Sequence, residues 1–260
     1  MREEGGGETH KGGERGYGLG AVELKRAPAV LRVRPVPPLF FTAPSSASNS
    51  YPHVKPVPSP RREEVAAAIA AVELRGIVET AAVTDYQSEP LLIGYGPVRG
   101  QFIEAIGQLD FETLVALSVT VHGFMTRPFD MLDLGEERNE LAVEVLERAG
   151  SRWDVDPADF ATLADHFGGH LEPTSLLLHF ANPDRYPIWD ADVFAYVVGR
   201  DPQPGELRDM PAYIAFAERM RELAASIQAV QVAKLIRQRV ADVSRLFAVN
   251  AVMLAAGAAR

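Results

Sequence analysis

The sequence predicts an all-α protein, and three observations predict it. After residue 60, apolar residues recur at helical spacing in one segment after another. Residues that start and stop helices punctuate those segments. No stretch alternates apolar and polar residues with the period of a strand, and no repeat of fixed length is found. The expected organisation is a globular domain of eight to ten helices over residues 61–260, after a disordered or extended arm over residues 1–60.

The arm follows from composition. Residues 1–20 are rich in Gly and charge and cannot build a core. Residues 28–60 hold nine of the nineteen prolines, each fixing φ and removing an amide donor. Ser59 is then placed to cap and Pro60 suits a first helical turn. Glu63 to Ala82 reads as one helix with Val65, Ile69, Val72, Ile77 and Val78 as its apolar stripe. Residues 86–100 read as a loop on Gly94, Gly96, Pro97 and Gly100, and a helical pattern resumes at Phe102–Leu109. Asp110 caps Phe111 to Phe124, which Arg127-Pro128 ends. Glu136 to Ala149 is amphipathic and stops at Gly150. Asp156-Pro157 starts Ala158 to His166, ended by Gly168-Gly169. Pro173-Thr174 opens Ser175 to Ala181, and Asn182 to Pro187 is a turn by composition. Asp190 caps Ala191 to Val198, closed by Gly199. Met210–Ala225 and Ile227–Leu254 finish the chain as two longer helices.

Composition removes several function classes. The chain has no cysteine, which excludes disulfides, thiolate nucleophiles and cysteine-held metals and fits a reducing, cytoplasmic compartment. No run of 18 uncharged apolar residues is present, so no membrane partner is expected. The opening MREEGGGETHKGGERG lacks the apolar stretch of a signal peptide. Residues 1–62 carry ten Lys/Arg and five Asp/Glu, whereas residues 63–260 have a net charge of −14. Phosphate contacts dominate nucleic-acid affinity, so this acidic body counts against strong DNA binding unless its basic residues share one face.

One segment carries recognisable chemistry, Leu171 to Val193, reading LEPTSLLLHFANPDRYPIWDADV. An apolar helix leads into a proline-bearing turn, and the turn delivers Asp190 to the start of the next helix. A carboxylate there accepts helix amides and is favoured by the helix dipole. The stretch Pro187-Ile188-Trp189-Asp190-Ala191-Asp192-Val193 resembles the catalytic turn of the helix–hairpin–helix DNA glycosylase superfamily, closest to its adenine-glycosylase form. The resemblance implies a two-lobed helical fold, DNA as partner, and Asp190 as the catalytic carboxylate facing an oxocarbenium-like sugar. It places Tyr186, Trp189, His179 and Thr174 about the substrate. The family's phosphate-holding Gly-x-Gly hairpin is replaced here by Gly169-His-Leu-Glu-Pro-Thr174. No Lys lies between Lys55 and Lys234, so the Schiff-base amine of bifunctional members is missing. The expected chemistry is therefore monofunctional base excision without cofactor.

Plainer readings stand beside these. From the residues alone Asp190 reads first as a helix cap, and Tyr186 and Trp189 first as packing residues. His179, inside an apolar run, reads as a satisfied buried imidazole or one that orients the Asp190 turn. Asp165, His166, His170 and His179 are near in sequence, but Gly168-Gly169 breaks any shared helical face, and no metal is expected. Gly94 to Gly100 superficially resembles a phosphate loop, with Arg99 as an anion contact. Lys234, Arg237, Arg239 and Arg245 form a basic stripe. The apolar end, Leu246 to Leu254, packs on the core or joins a second copy of the chain. The same features support a non-catalytic helical binding or assembly module.

Overall fold

The computed structural model describes residues 59–260 apart from 85, 87–89, 125–128, 130, 152–154, 239 and 242. The arm read over residues 1–60 lies outside the described residues up to position 58, as does Arg239. Among the described residues the architecture is all-helical: α1 Ser59–Ala71, α2 Leu74–Val83, α3 Pro90–Ala105, α4 Phe111–His122, α5 Glu136–Gly150, α6 Pro157–Asp165, α7 Leu171–Ala181, α8 Ala191–Val198, α9 Met210–Ala225, α10 Ile227–Arg237 and α11 Arg245–Ala258. A 3-10 turn, Glu206–Arg208, precedes α9. Helices α3 to α7 pack mainly on one another, and α1, α2 and α8 to α11 form a second group around α11. The chain passes from the first group to the second through residues 182–190.

Local signals set many helix starts. Asp110 accepts the Thr113 amide at 2.8 Å, and Asp156 accepts those of Ala158 and Asp159, each at 2.8 Å. Three segments differ from the sequence expectation, and in each a specific contact decides, long-range in two of them and local in the third. The helix expected over 63–82 is broken at Val72–Glu73, where Glu73 is extended and the Val72 carbonyl accepts two N–H groups of Arg219 from α9, at 2.7 and 3.2 Å. The final helix breaks after Arg237, whose guanidinium donates to the Val243 carbonyl at 2.9 and 3.2 Å, and Ser244 caps α11 through the Phe247 amide. The glycine-rich loop expected over 86–100 is mostly α3. Pro97 costs about 3 kcal/mol inside a helix. Leu91, Leu92, Tyr95, Val98 and Phe102 are nevertheless all buried by this helix, and each contributes roughly 1.5–3 kcal/mol. A Cβ on Gly94 would lie 2.5 Å from two ring atoms of Phe124, so glycine lets that ring rest on the helix.

Helix α11 settles the two readings of the apolar C-terminus. Leu246 to Leu254 is buried throughout by the chain's own helices, with α8, α9, α10 and α2 against it. The run packs on the core. No described helix is long and apolar enough to cross a membrane.

Candidate functional site

The segment from Asn182 to Asp190 makes few bonds to itself and many to its surroundings. Asn182 starts it by donating its side-chain amide to the Ala149 carbonyl of α5 at 3.0 Å. Ser244 donates to the Pro183 carbonyl at 2.7 Å. His179 of α7 is fully buried, and its Nδ1 lies 2.8 Å from the Tyr186 carbonyl. A carbonyl only accepts, so Nδ1 carries the proton and Nε2 accepts from the Tyr95 hydroxyl at 3.3 Å. Burial pushes the imidazole down to about 3, and it stays neutral near pH 7. His179 is thus a satisfied buried histidine that holds the turn.

The last two residues before Asp190 are clamped from both sides. Asn250, fully buried in α11, accepts the Ile188 amide at 2.6 Å and donates to the Ile188 carbonyl at 3.2 Å. One side-chain amide therefore satisfies both backbone groups of one residue, as a neighbouring strand would. Ser175 of α7 accepts the Trp189 amide at 3.0 Å. Removing Asn250 orphans two buried groups, each costing about 1–3 kcal/mol. Asn250→Ala is expected to lower stability by about 3 kcal/mol, read from denaturant unfolding of the full chain. A loss below 1 kcal/mol would show that the clamp is dispensable.

Of the five residues singled out from sequence, the structure brings one to open space. Trp189 is fully buried, its ring packed on Phe216 at 4.7 Å and Phe194 at 5.6 Å between centroids. Tyr186 is 5% exposed, and its hydroxyl accepts the Val155 amide at 3.0 Å. Thr174 is fully buried and donates to the His170 carbonyl at 2.7 Å. These three and His179 support the turn from inside, and none lines the cleft described next. Asp190 is half-buried at the N-cap of α8 and accepts the Val193 amide at 2.8 Å. The same residue lines a cleft of about 810 Å³.

That cleft is built from both helix groups. The start of α8 supplies Asp190, Ala191 and Asp192; the start of α7 supplies His170, Glu172 and Leu176. Leu91, Phe124, Phe129 and Leu254 make apolar wall, and residues 202–205 with Leu207 and Arg208 close another side. The volume falls in the 300–1,000 Å³ range of small-ligand sites. Burial pushes the Asp192 carboxyl above the usual carboxylate range. Burial pulls the Arg208 guanidinium below its ordinary value, with the Glu172 carboxylate opposing that shift. Arg208 lies against the His170 imidazole within hydrogen-bonding contact.

The wall at 202–208 is braced by an ion pair. The Glu206 side chain is 1% exposed and takes both terminal nitrogens of Arg200, at 2.8 and 2.9 Å, plus the Gln203 amide at 2.6 Å. Arg200 also reaches Glu64 of α1, and Arg62 reaches Asp209 at 2.7 Å. The Arg200 hydrogen bonds hold the Glu206 carboxyl below its usual range. A depressed carboxyl pKa contributes stability above its unfolded value, near ~4.3, and loses it as pH falls through the folded value. Glu206→Gln is therefore expected to cost on the order of 2 kcal/mol at pH 7, less than a fully buried pair because Arg200 is 31% exposed and keeps Glu64. The gap between variant and parent should begin to narrow only once pH falls below the unfolded value and should shrink further as pH falls through the depressed folded value. A gap independent of pH would exclude the charge as its origin.

The other motif readings resolve simply. His166 bonds to the Thr162 carbonyl and to Asn139, His170 meets Arg208, and His179 meets Tyr186, so the sequence cluster is dispersed. Among the described residues no three His, Asp or Glu side chains come together as a metal-holding group. Gly94 to Gly100 is helix rather than phosphate loop, and Arg99 donates inward to the Phe180 carbonyl at 2.6 Å. Sequence reasoning passed over Asn250, although a lone amide inside the apolar run 246–254 is a visible signal. It passed over Arg208 for want of any signal, since the residue follows an irregular Gly/Pro segment and reaches the cleft only through tertiary structure. Compared with known protein families, with curated proteins and with solved structures, the chain matches none.

Proposed function

We propose that the protein is a monofunctional base-excising hydrolase acting on nucleic acid, with Asp190 as its catalytic carboxylate. The observation that carries this reading is the double placement of Asp190, which caps α8 and lines the cleft. The order of elements supports it: α6 and α7 are joined by a short turn through Gly168 and Gly169, both at positive φ, and α7 runs into the turn that presents Asp190. This is the order of helices that the resemblance in residues 171–193 implies.

The chemistry fits a half-buried carboxylate at a helix start. A base drawn from the stack enters the cleft. The bond from C1′ to the base nitrogen breaks, the electron pair leaves with the base, and positive charge develops on the sugar. Asp190 faces that charge, and negative charge at a helix N-terminus is itself favoured. Water adds to C1′ and gives up a proton, which restores the cleft acid that protonates the departing base. Asp192, with its raised carboxyl pKa, is suited to protonate the departing base. No lysine lines the cleft among the described residues, in keeping with hydrolysis rather than an amine-linked lyase step.

The acidic body favours a second reading, a non-catalytic binding module. A base-excision assay separates the two. The full chain and Asp190→Asn are incubated with a panel of damaged and mismatched duplexes at low salt, where weak phosphate binding is not lost. Excision that vanishes in Asp190→Asn supports the hydrolase and identifies its base. No excision and no DNA binding on any duplex selects the module.

A further inference from the structure

We propose that Arg208 is the anion-binding residue of the cleft and takes a phosphate oxygen of the nucleotide whose base enters it. The proposal rests on reading the cleft as a nucleotide site. Among the described lining residues, Arg208 is the only lysine or arginine. Its surroundings differ from those of Arg62, Arg138, Arg148 and Arg200, each of which meets an Asp or Glu carboxylate. Arg208 meets His170 Nε2 rather than a carboxylate, and the Glu172 carboxylate of the same cleft acts on it only through space, beyond ion-pair distance. A ring nitrogen supplies no carboxylate charge, so this contact does not pair the guanidinium as an Asp or Glu would. The guanidinium is partly withdrawn from water, and the bond to His170 occupies one of five N–H donors in a planar fork matched to phosphate.

The position of this fork is fixed rather than incidental. Arg208 ends the turn Glu206–Arg208, and the buried Glu206 ties that turn to Arg200 and, through Glu64, to α1. The carboxylates Asp190 and Asp192 come from a different element, the start of α8. One cleft thus presents a cation and carboxylates on separate supports. A nucleotide undergoing base loss has the complementary pair, a permanent anion at phosphate and a developing cation at the sugar.

The test uses calorimetric titration of the full chain at low salt with a 2′-deoxynucleoside, its 5′-monophosphate and a short single-stranded oligonucleotide. A charge-assisted contact predicts that the monophosphate binds about ten- to a hundredfold tighter than the nucleoside. Arg208→Gln should erase that preference and Arg208→Lys should keep part of it, with folding of each checked by its thermal melt. If Arg208→Gln does not fold, Arg208→Lys and the parent's loss of preference with rising salt carry the test. Equal binding of nucleoside and monophosphate by the parent, or an unchanged preference in Arg208→Gln, overturns the proposal. Tighter binding of the oligonucleotide than of the monophosphate assigns the phosphate to a strand, and the reverse assigns it to a free nucleotide. A parent that shows the Arg208-dependent preference but excises no base keeps this proposal and removes the excision reading. Excision without phosphate preference does the opposite.

Discussion

Asp190→Asn is expected to lower base excision by about 10²–10⁴-fold while moving the melting temperature by only about 1–3 °C. The two effects separate because the observed cap and the proposed catalytic role make different chemical demands on Asp190. Capping needs an oxygen that accepts the Val193 amide at 2.8 Å, and Asn supplies one about as well as Asp. Facing a developing cation needs a charge, which Asn lacks. The stability cost of Asn is the lost charge at the helix N-terminus, about 0.3–1 kcal/mol. Asp190→Ala meets neither demand and should cost about 1 kcal/mol more in stability. The ordering is the informative part: Asn and Ala should be equally inactive but unequally stable. If Asp190→Asn retains parental excision, the carboxylate charge is not used and Asp190 is a cap alone.

The physical range of each interaction explains what the sequence made legible. The starts of α4, α6 and α8 are written within three residues, in Asp110, Asp156 and Asp190, and a side chain bonding an amide two or three positions on needs no knowledge of the fold. The bounds of α8 and α9 follow likewise from the Asp190 cap, Gly199 at positive φ and the Gly/Pro segment before Met210. The break at Val72 and the helix through Gly94 to Gly100 depend on Arg219, 147 positions away, and on Phe124 and the core under α3. Local propensity gives the wrong answer there because tertiary burial outweighs it. The site divides along the same line. Asp190 stood out because its chemistry is bound to a helix start. Trp189 and Tyr186, which the sequence placed in the core or turn packing ahead of a base contact, lie in the core because Phe216, Phe194 and the Val155 amide surround them. Arg208 and Asn250 come to the site from 18 and 60 residues beyond Asp190, and nothing local marks that journey.

Gly257→Ala is expected to be the most damaging single-atom addition in the domain. A Cβ at position 257 would lie 2.0 Å from the Asp192 carbonyl oxygen, 2.5 Å from its carbon and 3.0 Å from its Cα. These are backbone atoms of α8, so no flexible side chain can turn aside. Retreat of α11 would open a helix buried from Leu246 to Ala255, and Arg260, which donates to the Ala195 carbonyl at 2.8 Å, ties its end to α8. Retreat of α8 would carry Asp190 and Asp192 with it and reshape the cleft. Overpacking usually costs 1–3 kcal/mol. A clash against backbone on both sides should reach about 3 kcal/mol or more, a fall of roughly 6–12 °C in melting temperature for a chain of this size. Gly100→Ala is the matched control. It also lies inside a helix, nothing stands within 4 Å of its added Cβ, and it should gain about 0.5–1 kcal/mol. A Gly257→Ala protein that melts within a degree of the parent would mean that α8 and α11 are not in backbone contact. Asp190 would then lose the support that fixes its place in the cleft. A large fall for Gly257→Ala beside a gain for Gly100→Ala would tie the geometry of the candidate site to the last turn of the C-terminal helix.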